Sequence, residues 1–411
     1  MRIVVVGASL AGVRTIQALR RHGCDAQVTL IGREPGIACD RPPLSKGFLS
    51  DPDAAARPLL GPEDLAKLEV TMILGRSATD LAPAEQTVGT DSGERIGYDT
   101  LVIATGSSPR LLPGLEPRPG VQVLRTGADA ARIRDALSAR ARVVVVGGGF
   151  IGAEIASTGR RMGCAVTVVE PLPALMIRGL GPALSQAMTR RHVLAGTDLR
   201  LGVGVAGLES GAPHPAGAAG EPGAASRGQA VRLTDGAMVP ADLVVVAAGA
   251  VPETGWLQGS GLDLSNGVLC DGLLSAAGVP GVYAAGDVAR WRHPRYADPV
   301  RMEHWTSAIE QAAVVAANIC GQGRTHDALP YVWSDQLGGR LQIFGRVQPN
   351  DDVHYVLGDA SSDAFVAITG GDGRLNAVVG FGAVRELLPY RKLLLGGAPL
   401  SAALGLAGTS A

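Results

Sequence analysis

The sequence, 411 residues long, predicts an α/β chain with two Rossmann-like dinucleotide-binding units and a smaller α+β domain at its end. Three observations predict it. A strand, glycine turn, helix and second strand occur in that order twice, in "RIVVVGASLAGVRTIQALRRHGCDAQVTLIGRE" and in "ARVVVVGGGFIGAEIASTGRRMGCAVTVVE". Two further strands, in "YDTLVIATGSSPR" and "ADLVVVAAGAVPE", each run into a turn of small residues. Past residue 323 the pattern changes to alternating strands such as "RLQIFGRV" and "AFVAITG", and "AVRELLPYRKLLLGG" follows with helical spacing.

The first unit opens on an uninterrupted apolar run, as in a parallel strand covered on both faces. Its turn carries Gly7, Ser9 and Gly12, with serine where the second glycine of a G-x-G-x-x-G turn usually stands. Gly7 permits the tight turn and Gly12 lets the helix pack close to the strand. The helix N-terminus then offers unpaired N–H groups and a positive dipole end to a pyrophosphate. Glu34, just past the second strand, is either the acceptor for ribose hydroxyls or a solvated loop carboxylate. The second unit has the complete turn, Gly147, Gly149 and Gly152, and Glu170 ends its second strand at about the twenty-residue spacing expected of a ribose acceptor. An acid there favours NADH, because it repels the 2′-phosphate of NADPH. The plain alternative is a βαβ unit with no ligand.

Two such units imply two dinucleotides, one bound and one exchangeable. The turns Ala104-Thr105-Gly106 and around Gly249, at strand ends, are expected to face them. "GVYAAGDVAR" is a strand that stops at Gly286-Asp287. An acid at that place points into the crevice beyond the carboxyl ends of the strands and suits a polyol chain. It also suits an Asp-capped turn into a helix, and the two roles are compatible.

Composition narrows the class. The net charge of -1 gives no case for nucleic acid or a membrane surface. No apolar run is long enough to span a bilayer, and "MRIVVVGAS" enters a strand at once, so a cytoplasmic protein is expected. The five cysteines are scattered without a C-x-x-C pair. They supply no dithiol centre and no zinc or iron–sulfur ligand set, so no metal site is expected.

"GIACDRPPLSKGFLS" raises its own question. Tandem prolines fix φ and remove two backbone donors. "RPPLSK" is therefore a stiff elbow that places Arg41 and Lys46, or a helix start with proline in its first turn.

With these residues in hand, the chain resembles the FAD-dependent NADH:ferredoxin reductases of the putidaredoxin reductase and dioxygenase ferredoxin reductase type. The stretches that carry it run almost end to end: "GASLAG", "DRPPLSK", "ATGSSPR", "VLRT", "GGGFIGAEIA", "VYAAGDVA", "EHWTSAIEQA", "YVWSDQ" and "GRLQIFG". The resemblance implies a glutathione reductase-like fold, with bound FAD on the first unit and NADH as substrate on the second. It implies that the elbow lies beside the flavin, with Lys46 on the N5 side and paired to Glu154. A cation held by a carboxylate there stabilises charge moving across the ring without taking electrons itself. The implied FAD contacts are Ala11, Arg41, Pro43, Ala78, Arg125 and Trp305. Phe150, Ile151, Arg178 and Glu303 fall to the NADH side.

The implied layout is discontinuous: 1–112 and 245–322 form the FAD domain, 113–244 the NAD domain, and 323–411 the C-terminal domain. The implied reaction is hydride transfer from NADH to FAD, then single electrons to a 2Fe–2S ferredoxin that serves a cytochrome P450 or an aromatic-ring dioxygenase. That partner is transient and acidic, so a basic patch is expected, with Arg290, Arg292, Arg295 and Arg301 as one candidate and Arg340 and Arg346 as another. A solvated loop is the alternative. Trp333 either faces the partner or packs in the core. The expected oligomeric state is a monomer or weak dimer.

Two departures stand out. Cys39 occupies the place before "DRPPLSK" where tyrosine is usual, and 209–229 is a Gly/Ala/Pro/Ser stretch that suits a hairpin insertion. Cys39 keeps open an NADH oxidase, peroxidase or disulfide reductase. Other rivals are a rubredoxin- or nitrite-reductase-linked NADH reductase and a non-enzymatic flavoprotein resembling apoptosis-inducing factor.

Overall fold

The computed structural model describes residues 1–210 and 229–408. The interior of the expected 209–229 insertion lies outside the described residues. Its ends pair as antiparallel strands, with Ser210 opposite Gln229. The described chain falls into two compact units.

The first unit comprises residues 1–40, 56–108 and 250–330. Its centre is a parallel sheet in the order Val282–Ala284, Thr100–Ile103, Arg2–Val6, Gln27–Gly32, Val70–Leu74. Ile3 to Val6 are buried, as a strand with neighbours on both sides requires. Helices Leu10–Arg21 and Trp305–Ile319 pack against each other. All five strands run the same way, so the segments after Val6, Ile103 and Ala284 emerge at one edge. That edge is where open α/β sheets bind ligands. The unit also holds two three-stranded sheets; one contains Ala78–Ala82 and the other Val268–Cys270.

The second unit comprises residues 41–55, 109–249 and 331–411. Its parallel sheet runs Asp198–Leu201, Ala165–Glu170, Arg142–Val146, Leu243–Val246, Val121–Val123. Burying the valine run Val143–Val146 contributes about 1.5–3 kcal/mol per side chain. The elbow belongs to this unit, although its sequence neighbours belong to the other. Its helix Gly47–Ser50 buries Phe48, with the Arg134 guanidinium 4.8 Å from the ring centre. The C-terminal part is an antiparallel sheet in the order Tyr331–Gln336, Gly339–Gly345, Arg374–Phe381, Phe365–Gly371, Asp352–Leu357, with helices Leu388–Leu395 and Leu400–Gly408. Pro389 in the first turn sets where the first of these helices begins.

One device recurs in both units. Arg2 opens its strand clamped to Asp99, through its backbone N–H at 2.7 Å and its guanidinium at 2.8 Å. Arg142 does the same with Asp242, at 2.8 and 2.6 Å.

Candidate functional site

The glycine turns have the shape their sequences predict. Gly7 has φ +125°, and a Cβ there would lie 2.1 Å from the Ala104 carbonyl oxygen; at Gly12 it would lie 2.0 Å from that of Gly7. Gly152 repeats this, at 2.1 Å from the Gly147 carbonyl oxygen, whereas the space around Gly149 is open. No side chain caps either following helix at its N-cap, Ser9 or Gly149. Both helices therefore present uncapped N–H groups beside a turn without bulk, which fits a pyrophosphate. Ala11 is buried behind the first turn; Ile151 is exposed and Phe150 half-buried at the second.

In the first unit, Ala104, Thr105 and Gly106 follow their strand at the ligand edge, and the Thr105 hydroxyl donates to the Glu253 carbonyl at 2.8 Å. Ser107 donates to the Asp287 carboxylate at 2.7 Å. Gly286 has φ +82°, and its N–H donates to Gln311 at 2.7 Å. Asp287 does not start a helix: strand Ala289–Trp291 follows it, which corrects the capped-helix alternative. Glu34 is half-buried past its strand, and its carbonyl accepts from the Gly75 N–H at 2.9 Å. The Trp305 indole donates to Asp40 at 2.8 Å. Ala78 opens a strand of the antiparallel sheet, and exposed Glu303 pairs with Arg301 at 2.6 Å.

The second unit brings Arg41, Pro43, Lys46, Arg125, Gly147, Gly149, Gly152, Glu154, Glu170, Arg178 and Gly249 into one body. Pro42–Ser45 forms a 3-10 turn with proline in its first positions, as the helix-start reading of the elbow expects. It delivers Lys46, whose ammonium lies 2.9 Å from the carboxylate of Glu154 on the helix Phe150–Arg161. Glu154 is 3% exposed. Besides Lys46 it accepts from the hydroxyls of Ser45 and of Ser334, the latter at 2.6 Å. A buried carboxylate needs such donors to stay ionised. Sequence reasoning missed both serines; the signal available was that each lies inside a motif particular to this group, "RPPLSK" and "YVWSDQ".

Glu170 is half-buried, and its two oxygens accept from the N–H groups of Gly148 and Leu172 at 2.7 and 2.9 Å. It braces the glycine turn while remaining open to further donors. Arg125 immediately precedes Thr126, which caps helix Gly127–Ser138; exposed Arg178 lies at the start of helix Ile177–Leu194. Gly249 has φ +92°.

Three of the six arginines expected to form a basic patch have acidic partners. Arg290, 17% exposed, pairs with Asp263 at 2.9 Å, and Arg301 pairs with Glu303. Arg340 pairs with Asp335 at 2.6 Å. Arg292 remains exposed. Trp333 is half-buried and stacks on Tyr331, ring centres 5.8 Å apart. Cys39 is half-buried, forms no disulfide with a described cysteine, and its backbone bridges to Pro58. No described helix is long and apolar enough to cross a membrane.

Residues 1–312 match the family model for pyridine nucleotide-disulphide oxidoreductases, and residues 331–407 match the reductase C-terminal model. The chain is 32% identical over 403 residues to a rhodocoxin reductase of Rhodococcus erythropolis, covering 98% of this chain and 91% of that one. It is 34% identical over 400 residues to the ferredoxin–NAD(+) reductase component of the anthranilate 1,2-dioxygenase system of Burkholderia cepacia, covering 96% and 94%. The reductase in a covalent putidaredoxin reductase–putidaredoxin complex superposes with a TM-score of 0.89 at 30% identity, over 97% of this chain and 94% of that one. With two uncapped glycine turns and a reductase C-terminal domain, the chain belongs to the pyridine nucleotide-disulphide oxidoreductase family and is a flavoprotein oxidoreductase that uses FAD and NAD(P)H.

Proposed function

We propose that the protein takes hydride from NADH onto FAD and delivers single electrons to a 2Fe–2S ferredoxin, which serves a cytochrome P450 or an aromatic-ring dioxygenase. The buried Lys46–Glu154 pair supports this reading most directly, because a fixed, fully hydrogen-bonded cation suits a redox centre whose charge changes. The relatives' names point the same way, to reductases of ferredoxin-dependent systems. FAD supplies the exchange between two-electron and one-electron chemistry.

The chain's residues do the rest. In the FAD domain, residues 1–112 and 245–322, we assign FAD contacts to the turn at Gly7, Ser9, Ala11 and Gly12, to Glu34, Ala78, Ala104 to Gly106, Gly286, Asp287 and Trp305. Arg41, Pro43, Lys46 and Arg125 complete them. The Gly147 to Gly152 turn, Glu170, Arg178, Gly249 and Glu303 are assigned to NADH. The helix N-termini orient the two pyrophosphates, and Glu170 disfavours a 2′-phosphate. Lys46 holds a positive charge beside the flavin, and Glu154 fixes its position.

The test is steady-state electron transfer from NADH to a 2Fe–2S ferredoxin, followed at the ferredoxin's visible bands. Reduction should be many times faster than transfer to oxygen, and Cys39→Ser should leave it intact. Bleaching of the flavin by NADH without ferredoxin reduction, or loss of turnover in Cys39→Ser, overturns the reading in favour of an oxidase or disulfide reductase.

A further inference from the structure

The charge pair at Lys46 is one end of a longer chain of buried side chains, all within the second unit. Ser334 bonds Glu154 at 2.6 Å, the Gln336 amide nitrogen lies 3.0 Å from the Ser334 hydroxyl, and the Gln336 carbonyl oxygen lies 2.7 Å from His192 Nε2. Ser334 and His192 are 0% exposed and Gln336 is 3% exposed. His192 comes from helix Ile177–Leu194 and the other two from strand Tyr331–Gln336, where alternate residues share a face.

Elementary donor counting fixes the direction of every link. A carboxylate only accepts, so Ser334 spends its one proton on Glu154. Its lone pair must then be met by a donor, which sets the Gln336 amide with nitrogen toward Ser334 and oxygen toward His192. That oxygen only accepts, so His192 donates from Nε2. Its Nδ1 is left without a hydrogen-bond partner among the described residues. A charged imidazole would bury a second N–H with nothing to receive it, and burial does hold the His192 pKa below its usual value. His192 is therefore the neutral end of the chain. Every proton along it points toward Glu154.

We infer that Ser334 and Gln336, backed by His192, are positioning residues for Lys46: their aligned donors fix the Glu154 carboxylate and through it hold the ammonium in place. The C-terminal strand thus takes part in setting the charge beside the flavin, rather than only covering it. This rests on the proposed role of Lys46, but it concerns the lysine's own state and can be tested apart from it. With Ser334 gone, the carboxylate loses one of three donors and is free to turn away from the ammonium it holds.

The sequence makes the measurement practical, since only three of its 37 basic residues are lysines: Lys46, Lys67 and Lys392. A cavity of about 480 Å³, lined by Lys46, Thr158, Arg161 and Arg340 among others, gives a small reagent access to the ammonium. The experiment is pulse acetylation of the FAD-loaded protein with acetic anhydride, reading Lys46 by mass spectrometry against exposed Lys67 and Lys392 as internal standards. An amine must leave its hydrogen bonds to attack the anhydride, so Lys46, held by three acceptors, should be slow in the wild type. Ser334→Ala should speed it about tenfold, the effect of losing one hydrogen bond to a charged group. Gln336→Met should speed it about twofold to threefold, and Ser334→Thr, which keeps the hydroxyl, should return it toward wild type. Should Ser334→Ala not fold, Gln336→Met reads the same chain with Ser334 in place. Lys46 reactivity within about 1.5-fold of wild type in the alanine and methionine variants overturns the inference and leaves these residues as packing. If ferredoxin reduction failed while this order of reactivities held, the proposed function would fall and the chain would stand.

Discussion

Lys46 and Glu154 allow a quantitative test of a buried pair. Glu154 is 4% exposed in its side chain and Lys46 17%. Lys46→Met leaves the carboxylate with two hydroxyl donors and no counter-charge. Glu154→Gln leaves the ammonium without a counter-charge, with only neutral acceptors, the amide oxygen and the Pro42 carbonyl at 3.2 Å, and its slight exposure. Removing one member of a buried pair costs about 3–5 kcal/mol, because the other charge stays behind. The partial exposure of Lys46 and the two serines place both single changes near the lower end, about 3 kcal/mol each. In the double variant no charge is stranded, so the loss should be about 2–3 kcal/mol in all, a coupling of about 3 kcal/mol. Thermal or urea unfolding of the FAD-loaded protein, followed by circular dichroism, measures the stability cycle. Stopped-flow bleaching by NADH measures its kinetic counterpart, with Lys46→Met expected to slow bleaching by about one to two decades. If the two changes add in both cycles, the side chains do not act as a pair and the assignment of Lys46 as a charge held by Glu154 is wrong.

Two further outcomes are expected. Glu170→Ala should shrink the preference for NADH over NADPH in kcat/KM by about one to two decades, the equivalent of about 1–3 kcal/mol; an unchanged ratio would leave Glu170 only as the brace of Gly148 and Leu172. Burial beside Trp291 holds the His326 pKa down at about 4, so the unfolded chain takes up its proton first as pH falls from about 6.5 to 4. His326 thus supports the fold fully above pH 6.5, and about 3 kcal/mol is lost by pH 4. Urea midpoints across that window should flatten in His326→Leu, and an identical slope in the variant would contradict the shift.

Much of the fold was legible because its rules are local. Gly12 and Gly152 can be read from sequence, since a Cβ at either would strike a carbonyl five residues back, and buried strands such as Val143–Val146 announce themselves by composition. Glu154 was found through its resemblance to a known pattern, but the serines that satisfy it were not. Ser45 and Ser334 reach it from 109 and 180 positions away, and nothing in a serine's neighbours says which carboxylate it will meet. The arginines near residue 290 illustrate the same limit from the other side. Their clustering is visible in the sequence, whereas Asp263, which neutralises Arg290 from 27 positions away, becomes a partner only once the strands align. The element after Asp287 was illegible for another reason: a Gly-Asp turn looks alike whether a helix or a strand follows. The Arg2–Asp99 and Arg142–Asp242 clamps were readable in principle, as an arginine opening the strand before each glycine turn and an aspartate just ahead of "TLV" or "LVV".

The choice of lysine at the elbow follows from its surroundings. The chain uses arginine for 34 of its 37 basic residues and arginine for most of its ion pairs. At residue 46, three acceptors converge on one point: both carboxylate oxygens of Glu154 at 2.9 Å and the Pro42 carbonyl at 3.2 Å. A compact ammonium has three N–H groups on a single nitrogen and meets all three, whereas a planar guanidinium spreads its donors over a fork that suits a flat carboxylate. The prolines complete the arrangement. Pro42 cannot donate, so its carbonyl is offered at a fixed φ, and the Lys46 N–H closes the turn on the Pro43 carbonyl at 3.0 Å. The lysine is then tied to a segment that has little conformational freedom to lose, which lowers the entropic cost of holding a charge in one place. Stiffness, donor number and buried acceptors all select the same residue, and they account for the pairing of a proline elbow with a lysine at its end.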